Sequence, residues 1–358
     1  MAKRHYPERM DDHLRTVLVG TAHVEKGQVL LGAGIRSGLA FGALATCFML
    51  LGRPADVVPV ALACVFVAFA DAGEEVGRRW RTMAWVTLWI MLAAAAGIVL
   101  SEYPWIGVLA SSAVALACGV AGVAGPRAAL GGVLTLVTFI IFLGAPQLPA
   151  AALDNALLIG LGGLVITAIT VGPHLLRDAG AWRASLAPLP GLWTRIRPRL
   201  TLDDPFVRHG VRLAVLIGVA TYLSQAWGVE HGFWLPMTIA WVTKPDADGT
   251  VSRVAGRLVG TLAGLGVCAV LLLEFHVTGF VAIAICAASI VIIVGFVTAN
   301  YAVAVLAITV LVVVLFSVEG DPVSSEIDVR LIATFLATFM AIAASFVWRL
   351  PSGGSTAA

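Results

Sequence analysis

Residues 81–124 read RTMAWVTLWIMLAAAAGIVLSEYPWIGVLASSAVALACGVAGVA. Two uncharged runs, 82–100 and 104–124, are parted only by Ser101, Glu102 and Tyr103. About 20 mostly apolar residues are enough for an α-helix to cross a bilayer. In hydrocarbon every backbone N–H and C=O must find its partner within the segment, so such runs are helices. The alternating apolar–polar pattern of a membrane barrel is absent.

Working outward, the same reading finds twelve spans. Six lie near 33–51, 56–70, 82–100, 104–124, 128–146 and 154–173. Six more lie near 209–227, 232–243, 256–274, 277–297, 301–318 and 329–348. Composition agrees: 59% of the 358 residues are hydrophobic, only 12% are charged, and mean hydropathy is +0.96. Soluble domains carry roughly 25% charged residues, so a soluble globule, a disordered chain and a disulfide scaffold are all excluded. A net charge of +2 offers no global basic field for nucleic acid. The five cysteines (Cys47, Cys64, Cys118, Cys268 and Cys286) sit inside apolar runs without CxxC spacing. They read as small buried hydrophobes, and neither a metal site nor a cofactor is expected. The charged first 32 residues do not resemble a cleavable signal peptide.

Lys and Arg set orientation. With the N-terminus in the cytoplasm, only Arg53 and Arg330 of the 23 basic residues fall on the outer side. Both termini are therefore expected inside a cytoplasmic (inner) membrane that the chain crosses many times. The halves are also related in register. A shift of 176 residues carries Gly34 to Gly210, Arg36 to Arg212, Gly42 to Gly218 and Arg81 to Arg257. The fold expected is all-α, two parallel six-helix repeats related by a pseudo-two-fold axis along the membrane normal. Residues 1–32 form a partly amphipathic cytoplasmic segment, 33–173 the first repeat, 174–207 a basic connector, 208–349 the second repeat and 350–358 a tail. Trp182, Leu186, Leu189 and Trp193 in the connector, and Leu14, Val17 and Leu18 before the first span, read as interfacial amphipathic faces.

The second span of each half is short and holds a proline, Pro59 or Pro236. Interrupted spans at matching positions of two repeats point to a transporter binding site. Trp234, Thr238 and Trp241 follow i, i+4, i+7 spacing, so two indoles and a hydroxyl share a face that could orient a planar solute, while Trp234 near the outer edge fits an interfacial belt equally well. Lys244, Arg253 and Arg257 come next. The arginine fork suits carboxylates, and Arg36, Arg81, Arg212 and Arg257 are expected to form a cationic inner vestibule. Positive-inside anchoring accounts for the same residues without a site. Asp154 and Arg330 occupy equivalent outer positions, as a gate pair or among lipid headgroups. No carboxylate falls in the membrane centre, so proton coupling has no evident relay.

From His209 onward the chain resembles the fusaric acid resistance family of the aromatic acid exporter superfamily. The resemblance is strongest in HGFWLPMTIAWVTKPDADGTVSRVAGRLVGTLAG, residues 231–264. Its positions are Phe233, Trp234, Pro236, Thr238, Pro245, Asp246, Arg253, Arg257, Gly260, Thr261 and Gly264. Asn300–Tyr301 and Arg330 with Thr334 match later motifs of the family. The resemblance implies an efflux transporter of aromatic carboxylates or similar amphipathic organic anions, with a homo-oligomer allowed but not required. The alternatives are a channel-like uptake path and a non-transporting membrane scaffold. An enzyme is not expected, since neither a Ser/His/Asp arrangement nor a metal-ligand spacing accompanies the acidic pairs.

Overall fold

The computed structural model describes residues 26–71, 76–145, 147–177, 196–228, 231–271, 277–319 and 323–347. The expected amphipathic faces of the connector and of residues 14–18 lie outside them. Among the described residues there are twelve α-helices and no strand. The first six are α1 (Leu31–Leu50), α2 (Val57–Phe69), α3 (Val76–Leu100), α4 (Pro104–Val120), α5 (Pro126–Gly144) and α6 (Ala151–Arg177). The others are α7 (Pro205–Trp227), α8 (Trp234–Val242), α9 (Ala247–Ala269), α10 (Gly279–Phe296), α11 (Tyr301–Glu319) and α12 (Val323–Val347). Nine of them have the length and apolar character to cross a membrane. The chain is a multi-pass membrane protein.

The two ends of the bundle are fixed by contacts. At the basic end, Leu30 N–H donates to Gly295 O at 2.9 Å, and Thr298 Oγ1 donates to Gln28 O at 2.8 Å. Arg199 reaches Val123 O at 3.1 Å, and Arg212 reaches Pro245 O at 3.2 Å. At the opposite end the Trp105 and Tyr222 rings stack at 5.8 Å, and Ser224 Oγ donates to Gly232 O at 2.8 Å.

Long helices form the outside and the two short ones the centre. Leu39, Leu109 and Phe339 are about 70% exposed, as suits side chains facing lipid. Nearly every residue of α2 and α8 is buried instead. Hydrocarbon offers helices no hydrophobic drive to associate, so close backbone approach between small residues replaces it. α4 crosses α7 where Gly119 meets Gly210: a methyl added to Gly119 would lie 2.5 Å from Gly210 Cα. α1 crosses α10 in the same manner, with Gly38 against Ala287 and Val291.

Pro59 and Pro236 do not interrupt their helices. Each is the third residue, Val57-Val58-Pro59 and Trp234-Leu235-Pro236. The first-turn N–H groups of a helix have no intrahelical acceptor, so a proline there removes no bond. What shortens α8 is its other end. Lys244 precedes Pro245, which disfavours helical geometry, and Thr243 is already extended at ψ 124°. Nine residues rise only about 13 Å, less than half the hydrocarbon thickness. Asp246 then caps α9 by accepting from Gly249 N–H at 2.6 Å. This moves the start of α9 to Ala247, well before the expected 256, and leaves Arg257 three turns inside the helix.

Candidate functional site

The turn after α8 is held by its neighbours. Thr250 Oγ1 accepts from Lys244 N–H at 3.0 Å and donates to Asp246 O at 2.9 Å. The Arg212 guanidinium donates to the carbonyls of Lys244 and Pro245, placing a cation at the negative end of the α8 dipole. Lys244 lies beyond the helix ends. Loss of hydration pushes its ammonium down to about 8, helped by the Arg253 charge and opposed by Asp246.

Two arginines from other helices converge on α8 itself. Arg257 of α9 is 1% exposed, and its guanidinium donates to Thr238 Oγ1 at 3.4 Å. Its Nε is buried without a hydrogen-bond partner, and among the described residues it makes no ion pair. Arg330 of α12 is also 1% exposed. Its guanidinium carbon lies 4.1 Å from the centre of the Trp234 ring, and it donates to Thr309 Oγ1 of α11 at 3.3 Å. Trp234 and Thr238 are one helical turn apart, so both guanidinium groups lie against consecutive turns of α8. Around them the polar atoms are underused. Trp234 Nε1, Thr261 Oγ1 and Thr338 Oγ1 are buried and make no hydrogen bond among the described residues.

Gly260 and Gly264 let this cluster close. A methyl on Gly260 would stand 2.5 Å from Ala302 O, and one on Gly264 would stand 2.6 Å from Thr309 Cβ. Thr309 is thereby held where Arg330 finds it. Thr334, one turn beyond Arg330, uses its hydroxyl on the Arg330 carbonyl at 2.7 Å. Asn300 caps α11 by accepting from Val303 N–H at 3.0 Å, and the Arg253 guanidinium lies 4.2 Å over the neighbouring Tyr301 ring.

The remaining expected site residues lie elsewhere. Arg36 pairs with Asp71 at 3.4 Å, and Arg79 pairs with the same carboxylate, joining α1 and α3 to the end of α2. Arg81 lies 5.9 Å over the Trp80 ring. Arg36, Arg81, Arg212 and Arg257 therefore occupy four separate environments. Trp241 does not share the surroundings of Trp234: its ring stands edge-on to Phe66 and Phe69 of α2, at 6.0 and 6.5 Å. Asp154 is exposed on α6 and makes no ion pair among the described residues, whereas Arg330 is buried. The structure does not bring these two together. The sequence reading puts Arg330 at an outer position, in a gate pair with Asp154 or among headgroups, whereas it is buried against Trp234 and Thr309. Among the described residues no group of His, Cys, Asp and Glu could hold a metal ion.

A cavity of about 330 Å³ opens on the other side of α8, toward the end opposite the basic one. Phe233 and Pro236 form its wall on the α8 side, and α4, α5 and α7, with Ser101 just past α3 and Gly228 and Gly232 between α7 and α8, supply the rest.

Residues 219–344 match the family model described as fusaric acid resistance protein-like. Trp234, Thr238, Arg257, Thr309 and Arg330 all fall within that match. The chain is 36% identical over 73 residues to uncharacterized protein ORF2 of Neisseria gonorrhoeae, covering 20% of this chain and 18% of that protein. It is 29% identical over 79 residues to inner membrane protein YccS of Escherichia coli K12, covering 22% and 11% respectively. With uncharacterized protein YhfK of the same organism it shares 33% identity over 104 residues, covering 29% and 14%. The chain thus spans less than a fifth of the length of these relatives. No solved structure matches it significantly. The match over residues 219–344, which holds both buried arginines and the short helix they flank, identifies that part of the chain as fusaric acid resistance protein-like.

Proposed function

We propose that this protein is a transporter that carries aromatic carboxylates, or similar amphipathic organic anions, outward across the cytoplasmic membrane. The observation that carries the reading is Arg257. A guanidinium near the bilayer interior costs at least about 2.5–3.5 kcal/mol, and such residues persist where they have a task. Arg257 has one long hydrogen bond and an unused Nε. A carboxylate accepted by its fork would satisfy the charge, and Trp234, whose ring face Arg330 covers, stands one turn away as an apolar neighbour for the rest of an aromatic acid.

The architecture that suits this role is two six-helix units around a pseudo-two-fold axis, with both termini in the cytoplasm. Two features support it. Helices α1 to α6 match α7 to α12 in order and in the two short second members. The seams between the halves also correspond, since α1 packs on α10 as α7 packs on α4. The bilayer and a small organic anion are the partners this reading requires.

The test is efflux of radiolabelled benzoate from proteoliposomes, with and without a pH gradient. Wild type is expected to release benzoate faster than protein-free liposomes, and Arg257→Gln to lose at least tenfold of that rate. Arg53→Gln, far from the site and paired among the described residues with Asp56, retains it. Release equal to that of empty liposomes, or unchanged in Arg257→Gln, refutes the reading.

A further inference from the structure

The cavity beyond α8 differs in chemistry from the arginine cluster. Among the described residues that line it, none is ionisable. Its volume of about 330 Å³ lies within the range of small-molecule sites. It is open on one side past Gln225 and Gly228, both exposed.

The polar groups that line it have capacity to spare. The Gln225 carboxamide makes no hydrogen bond among the described residues, so one acceptor oxygen and two donor N–H groups are available. Ser111 gives its one proton to Val108 O at 2.8 Å, so Thr221 Oγ1 donates to Ser111 Oγ at 3.1 Å, which leaves its lone pairs to accept. Ser101, just past α3, donates its Oγ proton back to Ile98 O at 2.7 Å, which leaves its lone pairs to accept. Ile140, Leu143, Phe233 and Pro236 supply the apolar remainder. An anion entering here would lose its hydration and meet no cation, which is costly. A neutral ring carrying an amide would meet a complementary amide at Gln225 and two hydroxyl acceptors for its N–H groups.

We propose that this cavity is a second binding site, selective for uncharged aromatic molecules that bear a hydrogen-bonding group such as a carboxamide. The site does not depend on the arginine reading. The two lie side by side: Phe233, the cavity wall, is tilted against Trp234 with ring centres 5.1 Å apart, and Trp234 lies under Arg330.

Radiolabelled benzamide in equilibrium dialysis against the full chain in detergent tests the site. Saturable binding at one molecule per chain is expected, unchanged by saturating benzoate. Ser101→Phe fills the space without breaking a bond between helices and is expected to weaken binding at least tenfold. Gln225→Leu keeps the volume but removes the amide and weakens it severalfold. Three outcomes overturn the proposal: no saturable binding, equal binding in Ser101→Phe, or full displacement of benzamide by added phospholipid, which would mark a groove for acyl chains. Because benzamide carries no charge, failure here leaves the benzoate result standing, and the converse also holds.

Discussion

Replacing Arg257 by methionine separates a residue kept for binding from one kept for folding. The two side chains share a flexible apolar stem, but methionine carries no charge. Arg257 is 1% exposed and has one hydrogen bond, at 3.4 Å, longer than the usual range for N–H···O. Holding a guanidinium in the bilayer interior costs about 2.5–3.5 kcal/mol, while a hydrogen bond from a charged donor returns about 1.5–3 kcal/mol. A bond this long belongs at the low end. Arg257→Met is therefore expected to leave the empty protein equally stable or stabilise it by about 1 kcal/mol, in contrast to most buried substitutions. SDS-driven unfolding in mixed micelles reads this difference. Adding benzoate at a hundred times its dissociation constant should stabilise wild type by about 2.7 kcal/mol and the variant hardly at all. A variant destabilised by more than about 1 kcal/mol, or one stabilised by benzoate as much as wild type, would show that Arg257 serves packing instead.

Three further outcomes follow from particular contacts. Asp71, 6% exposed, holds both Arg36 and Arg79, so Asp71→Asn removes a buried counter-charge and should cost about 3 kcal/mol in the same unfolding assay; removing all three charges together should cost less than the single change. Gly119→Val forces α4 away from Gly210 and is expected to cut the yield of folded protein by size-exclusion, whereas the same change at Gly27, which has open space, is tolerated. Lys244 loses its proton as pH rises through about 8, among Arg253, Asp246 and Arg212. Because its folded value lies below the ordinary 10.5, burial of the charge weighs on stability below pH 8 and is relieved between 8 and 10.5. If its charge aids anion entry, benzoate flux falls between pH 7 and 9 in wild type, and Lys244→Arg flattens that step.

The membrane fold was largely legible, because hydrocarbon thickness and backbone satisfaction leave few alternatives for runs such as 82–100. The start of α9 was not, because Asp248, Arg253 and Arg257 lower the local hydropathy while Asp246 supplies a cap that hydropathy does not register. Arg257 and Thr238 were both singled out, yet their meeting depends on α9 crossing α8. Arg330 was assigned to a surface because spacing does not reveal which helix face a charge occupies; two turns of α12 precede it, and Trp234 covers it. Trp241 was grouped with Trp234 on an ideal helical wheel, but its partners Phe66 and Phe69 belong to the first half of the chain, beyond the reach of any local pattern. The cavity behind Phe233 is assembled from four helices and the turns between them, and left no mark in the sequence at all.

The central claim is that a carboxylate docks beside α8, and a structure of the protein in nanodiscs with 4-iodobenzoate addresses it directly. The account predicts carboxylate oxygens about 2.7–2.9 Å from the Arg257 guanidinium, with the ring near Trp234. Iodine found only in the lipid layer, or a guanidinium still bonded to Thr238 alone at saturating ligand, would contradict it.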